Sequence, residues 1–164
     1  MKTAVYPGSF DPITLGHLNI VKRAAVCFDK LIVCVMTNAD KNSGLFTPDE
    51  RVELIRRVVA KLPNVEVDRS SGLLSDYARE KHACAVVKGL RAVSDFEQEV
   101  QMAVINRKLN PRLDTMFLPS SAKYTYLSSS VVKEMAWYGA DLSDFVPREI
   151  IADVNGRMKQ KRGL

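Results

Sequence analysis

The sequence predicts an α/β fold, a Rossmann-like doubly wound domain whose five-stranded parallel sheet carries helices on both faces. Two observations predict it. Apolar runs of four to six residues alternate with longer stretches of helical period along the chain. No repeat, low-complexity tract or linker interrupts that alternation, so residues 1–164 read as a single domain that ends in a last helix and basic tail over about 147–164.

The elements follow in order. Thr3 to Tyr6 reads as a first strand, and Leu18, Val21, Ala24, Ala25 and Phe28 recur at helical steps after it. Leu31 to Met36 is a near-continuous apolar run, suited to a strand buried on both faces. Thr47-Pro48-Asp49-Glu50 is a capping box with proline at the first helical position, so a helix should run from Thr47 to about Lys61. Val65 to Val67, Ala85 to Val87 and Met116 to Leu118 supply the remaining strands. Helices are expected over Asp76 to His82 and over Asp95 to Leu109, where Phe96, Val100, Ala103 and Val104 share a face. Two more are expected, from about Ser129 to Tyr138 and from about Pro147 to Lys159.

Composition narrows the function classes. The chain is 46% hydrophobic and 26% charged, ordinary values for a soluble protein. No stretch approaches the ~20 apolar residues that span a bilayer, and no basic-then-apolar leader opens the chain. A cytoplasmic protein without a membrane partner is the expectation. Cys27, Cys34 and Cys84 form no C-x-x-C pair and sit in apolar stretches, as buried small hydrophobes of a reducing compartment would. The net charge of +5 draws four positive charges from the tail Arg157-Met158-Lys159-Gln160-Lys161-Arg162. The remainder is near neutral, which argues against nucleic acid as a partner.

In a doubly wound sheet, ligands bind beyond the carboxyl ends of the strands. The segments that follow the strands are 7–16, 37–46, 68–74, 88–94 and 119–128, and every chemically loaded cluster of the sequence falls in or next to one of them. Pro7-Gly8-Ser9-Phe10-Asp11-Pro12-Ile13-Thr14-Leu15-Gly16-His17 joins strand to helix without being G-x-G-x-x-G or a lysine-bearing phosphate loop. Its glycines still allow backbone N–H groups to approach an anion at a helix N-terminus, with His17 in the first turn. Lys41 stands in the second segment. Lys88-Gly89-Leu90-Arg91 brings two cations round a glycine, Arg91 suited to bidentate phosphate contact and Lys88 to a point charge. Tyr124-Thr125-Tyr126-Leu127-Ser128-Ser129-Ser130 offers hydroxyl and N–H groups that could cap a helix and also hold a polyphosphate.

Thr14-Leu15-Gly16-His17 matches the (H/T)-x-G-H signature of the nucleotidylyltransferase superfamily. With Pro7 to Pro12, Lys88 to Arg91, Asp95-Phe96-Glu97, Glu99 and Ser128 to Ser130, the chain from Tyr6 to about Pro147 resembles the bacterial phosphopantetheine adenylyltransferases. That resemblance implies transfer of AMP from ATP to 4′-phosphopantetheine, with release of pyrophosphate, in coenzyme A synthesis. It implies ATP contacts from Ser9, Phe10, His17, Gly89, Leu90, Arg91, Glu99 and the residues Tyr124, Thr125, Tyr126, Leu127, Ser128, Ser129 and Ser130. It implies acceptor contacts from Ser9, Lys41, Leu74 and Lys88, with His17, Lys41 and Arg91 the groups closest to the chemistry. Ser9 stands where some members have Thr, and Lys88 where many have Arg. A homohexamer, Mg²⁺ dependence and coenzyme A as a feedback ligand are further implications. No carboxylate cluster in the sequence marks a metal site, so Mg²⁺ would arrive on the triphosphate.

The acceptor phosphate is already anionic near neutral pH and needs no general base, which suits a sequence without a Ser-His-Asp set or carboxylate dyad. The alternatives are another nucleotidylyltransferase with a different phosphorylated acceptor, or a non-catalytic nucleotide-binding module. Tyr126-Leu127-Ser128-Ser129-Ser130 departs from the R-T-x-G-I-S-T-[ST] segment of cytidylyltransferases.

Overall fold

The computed structural model describes residues 1–37 and 44–163. Its strands are β1 (Thr3–Gly8), β2 (Lys30–Met36), β3 (Val65–Ser70), β4 (Ala85–Leu90) and β5 (Asp114–Pro119). Its helices are α1 (Leu15–Cys27), α2 (Pro48–Val59), α3 (Leu74–Glu80), α4 (Val93–Leu109), α5 (Ser129–Trp137) and α6 (Ile151–Arg162). All strands pair parallel, in the order β3-β2-β1-β4-β5.

Leu31 to Val35 is buried throughout, because β2 lies inside the sheet with helices against both faces. Ala4, Tyr6, Leu31, Val33 and Val35 pack on one face against apolar residues of α1, α2, α5 and α6. Val5, Ile32, Cys34 and Val86 point the other way, onto Tyr77 and Ala78 of α3. The capping box at α2 forms as the sequence predicts: the Thr47 N–H donates to Glu50 Oε2 at 2.8 Å, and the Glu50 N–H to Thr47 Oγ1 at 3.3 Å.

Three expectations need correction. Strands β3 and β4 outlast their apolar runs, because strand pairing continues past the last hydrophobic residue. Asp68 to Ser70 stay paired with β2, and Lys88, Gly89 and Leu90 stay paired with Phe117, Leu118 and Pro119 of β5. Lys88 to Leu90 therefore end a strand instead of following one. The shared face of α4 does not enter the core: Phe96 and Val104 are 49% and 64% exposed, and among the helix's described side chains the buried one is Asn106. Finally, Cys34 alone is buried, while Cys27 and Cys84 are exposed, all three as free thiols.

The break in strand order falls between β1 and β4. Only Ala4↔Ala85 and Val5↔Val86 pair there, whereas β1 stays in register with β2 as far as Gly8↔Val35. The two central strands thus separate from Tyr6 onward, and a crevice opens at their carboxyl ends.

Candidate active site

A cavity of about 310 Å³ occupies that crevice. The end of β1 and the turn after it give it Tyr6, Pro7 and Ser9, and α1 gives Thr14, Gly16, His17 and Ile20. From the opposite side come Lys88 and Gly89 of β4, then Arg91, and Asp95 and Glu99 of α4. Ser120, Tyr124, Leu127 and Ser128 to Ser130 close the remaining wall.

The α1 wall is fixed by local hydrogen bonds. Thr14 is the N-cap of α1, and its hydroxyl accepts from the His17 N–H at 3.2 Å. In return His17 Nδ1 accepts from the Thr14 N–H at 3.0 Å, so the imidazole takes the place that glutamate holds in an ordinary capping box. A backbone N–H can only donate, so Nδ1 is the bare nitrogen and the ring proton resides on Nε2. Burial, reinforced by the Arg91 cation, lowers the His17 pKa to about 4. The ring is therefore neutral at physiological pH and presents a fixed N–H donor.

The preceding turn supports that geometry. Phe10 sits at φ 48°, a left-handed conformation unusual for a non-glycine residue, and its buried ring lies between Tyr6 and His17 with centroids at 5.3 and 5.1 Å. Gly8 makes room for this arrangement, since a Cβ there would come within 2.9 Å of the Phe10 ring. The Asp11–Pro12 peptide is cis.

Buried Asp11 ties the turn to the far end of the second loop, accepting from the Leu45 N–H at 2.7 Å and the Phe46 N–H at 2.9 Å. Arg51 Nε lies 3.3 Å from Asp11 Oδ1 and Lys133 Nζ 3.7 Å from its Oδ2. Arg51 also donates to the Phe46 carbonyl at 2.8 Å and the Ser9 carbonyl at 3.4 Å. Helix α6 grips the same loop from outside. Arg157 donates to the Leu45 carbonyl at 3.1 Å and pairs with Glu50, and Lys161 donates to the Gly44 carbonyl at 3.4 Å.

The β4–α4 wall is built of charge. Lys88 Nζ lies 3.1 Å from Glu99 Oε2, and Arg91 Nε 3.4 Å from Asp95 Oδ2. Arg91 also donates to the Leu127 carbonyl at 3.0 Å, which joins this wall to the start of α5. There Ser128 accepts from the Val131 N–H at 3.2 Å as N-cap, and Ser129 donates to the Pro12 carbonyl at 2.8 Å. Ser130 is exposed at the rim.

Of the residues singled out in the sequence, the cavity gathers Ser9, His17, Lys88, Gly89, Arg91, Glu99, Tyr124 and Leu127 to Ser130. Phe10 lies behind the wall, and Leu90, Thr125 and Tyr126 are not among the lining residues. Leu74 opens α3 and packs partly against the second core cluster, away from the lining. Lys41 lies outside the described residues. Sequence reasoning missed three contributors: the capping role of His17, the buried Asp11–Arg51 pair and the cavity position of Tyr6. The Thr14-x-x-His17 spacing carries the first signal; nothing in the sequence pairs Asp11 with Arg51.

Residues 5–135 match the cytidylyltransferase-like family model. A phosphopantetheine adenylyltransferase of Clostridium botulinum is 56% identical over 162 residues, covering 99% of this chain and 98% of the relative. One from Caldanaerobacter subterraneus is 56% identical over 153 residues, covering 93% and 94%. The chain belongs to the phosphopantetheine adenylyltransferase family.

Solved structures agree on the fold. A bifunctional NMN adenylyltransferase/ADP ribose pyrophosphatase from Francisella tularensis superposes with TM-score 0.72 at 15% identity, over 98% of this chain and 50% of that one. A Vibrio parahaemolyticus protein assigned as a nicotinate-nucleotide adenylyltransferase gives 0.68 at 19% identity, over 96% of both chains. Among the described residues no helix is long and apolar enough to cross a membrane.

Proposed function

We propose that this member of the family transfers AMP from ATP to 4′-phosphopantetheine, yielding dephospho-coenzyme A and pyrophosphate. The observation that carries the reading is the neutral Nε2–H donor of His17, fixed across the cavity from Lys88 and Arg91. A phosphate oxygen of the acceptor attacks the α-phosphorus, the bond to the β-phosphate bridging oxygen breaks, and pyrophosphate leaves. Two anions must meet in line, so the work is positioning and charge stabilisation.

In this reading His17 donates to the α-phosphate as charge builds there. Ser9, Phe10, Gly89, Leu90, Arg91 and Glu99 bind ATP, together with Tyr124, Thr125, Tyr126, Leu127, Ser128, Ser129 and Ser130. Ser9, Lys41 and Lys88 hold the acceptor's phosphate, and Leu74 touches its pantetheine arm. Asp95 and Glu99, the carboxylates of the cavity, are each tied to a cation and do not form a cage for a resident ion. In this reading Mg²⁺ accompanies the polyphosphate, as part of the ATP substrate.

Coenzyme A carries both halves of the product and fits as a feedback ligand of the same site. The exposed apolar residues Phe96, Met102, Val104, Ile105 and Leu109 of α4 favour self-association, consistent with a homohexamer. The test of the reaction is pyrophosphate release with ATP and a panel of phosphorylated acceptors. Turnover with 4′-phosphopantetheine well above the others is expected; equal turnover with nicotinamide mononucleotide would overturn the assignment of the acceptor.

A further inference from the structure

Tyr6 is an anomaly among the buried aromatics of this fold. It is 5% exposed and belongs to the main core cluster, where phenylalanine would fill the same space. A buried tyrosine ordinarily gives its hydroxyl a partner. Among the described residues the Tyr6 hydroxyl has none. Nor is the atom sealed off, since among the described residues Ser75 Oγ is the one fully buried side-chain polar atom without a partner. Tyr6 itself is one of the residues that line the cavity.

Its position follows from the topology. Val5↔Val86 is the last pair between β1 and β4, so Tyr6 is the first residue beyond the point where the two strands part. Phe10 holds the ring edge-on at 75° between planes, which fixes the direction of the phenol. A Cβ on Gly89 would lie 3.9 Å from the Tyr6 oxygen and 3.1 Å from Ile20 Cγ1, so the missing side chain keeps the space beside the hydroxyl clear. Lys88 and Arg91 flank Gly89 in the chain and line the same cavity.

We propose that the Tyr6 hydroxyl is a further binding group of this site, donating a hydrogen bond to a phosphate oxygen seated beside Gly89 between Lys88 and Arg91. The inference rests on the phosphoryl-binding role given to the cavity above. Phosphate oxygens at neutral pH mainly accept, so the phenol must donate. Burial holds the phenol well above its ordinary range, against the opposing pull of the Arg91 cation and with a smaller push from Glu99, and keeps that proton in place. A hydroxyl that gains its partner when an anion binds contributes to affinity, not to folding.

The experiment compares the full-length wild type with Tyr6→Phe by calorimetric titration of ATP, of 4′-phosphopantetheine and of unphosphorylated pantetheine, alongside turnover and Tm. Loss of a hydrogen bond to a charged group predicts about tenfold or more weaker binding of one phosphorylated ligand. The ligand affected identifies whose phosphate is held. Pantetheine binding and Tm stay unchanged. Affinities within about twofold for both phosphorylated ligands overturn the proposal, as does a Tm lowered in the variant, which would give the hydroxyl a structural partner. A wild type that binds neither phosphorylated ligand overturns the reading of the cavity itself, a result distinct from an indifferent Tyr6→Phe.

Discussion

The two walls of the cavity solve the same electrostatic problem by different means. The α1 wall carries no net charge at its centre: Thr14 and His17 satisfy each other three residues apart, and what faces the ligand is one neutral N–H. The β4–α4 wall is made of full charges, Lys88 on Glu99 and Arg91 on Asp95, paired across the junction of strand and helix. A neutral donor held by backbone geometry needs no rearrangement when an anion arrives. A paired cation does, because its carboxylate partner and the incoming phosphate compete for the same donor hydrogens. The first wall is set before binding, and the second completes its charge balance during binding.

His17→Ala breaks the fixed wall and carries the largest expected effect, a fall in kcat of ~10²–10³, as for loss of one preorganised donor. Pyrophosphate release at saturating ATP and acceptor measures it, and turnover within about threefold of wild type would remove His17 from the chemistry. Lys88→Ala breaks the paired wall. A pair in an open cavity wall contributes about 1 kcal/mol or less to folding, so Tm should scarcely move. The KM for the phosphorylated acceptor should instead rise about tenfold, the scale of one lost charge-assisted contact. A large drop in Tm with unchanged KM would make the Lys88–Glu99 pair a structural one.

A third test sharpens the contrast, because it concerns protonation alone. His17 titrates near 6.5 when unfolded and at about 4 in the fold, so between those values the unfolded chain binds the extra proton. The stability that comes from keeping His17 neutral is complete above about pH 6.5 and is lost as pH falls towards 4. The ring's NMR signals should stay flat from pH 8 to 5, and His17→Ala should lose less stability than wild type over the same range. A midpoint near 6.5 in the folded protein would show an exposed, ordinary imidazole.

Much of this was legible in the sequence, for identifiable reasons. The buried run Leu31 to Val35 and the Thr47–Glu50 capping box are local signals, and local physics fixed both elements. Ser9, His17, Lys88, Arg91 and Glu99 were reachable because strand ends and a family-like motif mark them. The strand ends themselves were not, since the pairing that carries β4 through Leu90 depends on β5, about thirty residues away. The face of α4 misled because helical spacing groups apolar residues on one side without saying whether that side meets the core or lies at the surface. Asp11 and Tyr6 escaped notice because their roles are set by Leu45, Phe46, Arg51 and the parting of β1 from β4, which are tertiary facts.

The grip of α6 on the second loop also bears on the order in which the protein comes into being. The carbonyls of Gly44 and Leu45 are held by Lys161 and Arg157, residues made more than a hundred positions later. A chain emerging from the ribosome can build its sheet and the Thr14–His17 wall early, from neighbours already present. The outer hold on the second loop has to wait for nearly the last turn of helix to be translated. Catalytic competence should then arrive late in synthesis, and a nascent chain stopped before Arg157 would carry a formed α1 wall without the hold of α6 on the carbonyls of Gly44 and Leu45.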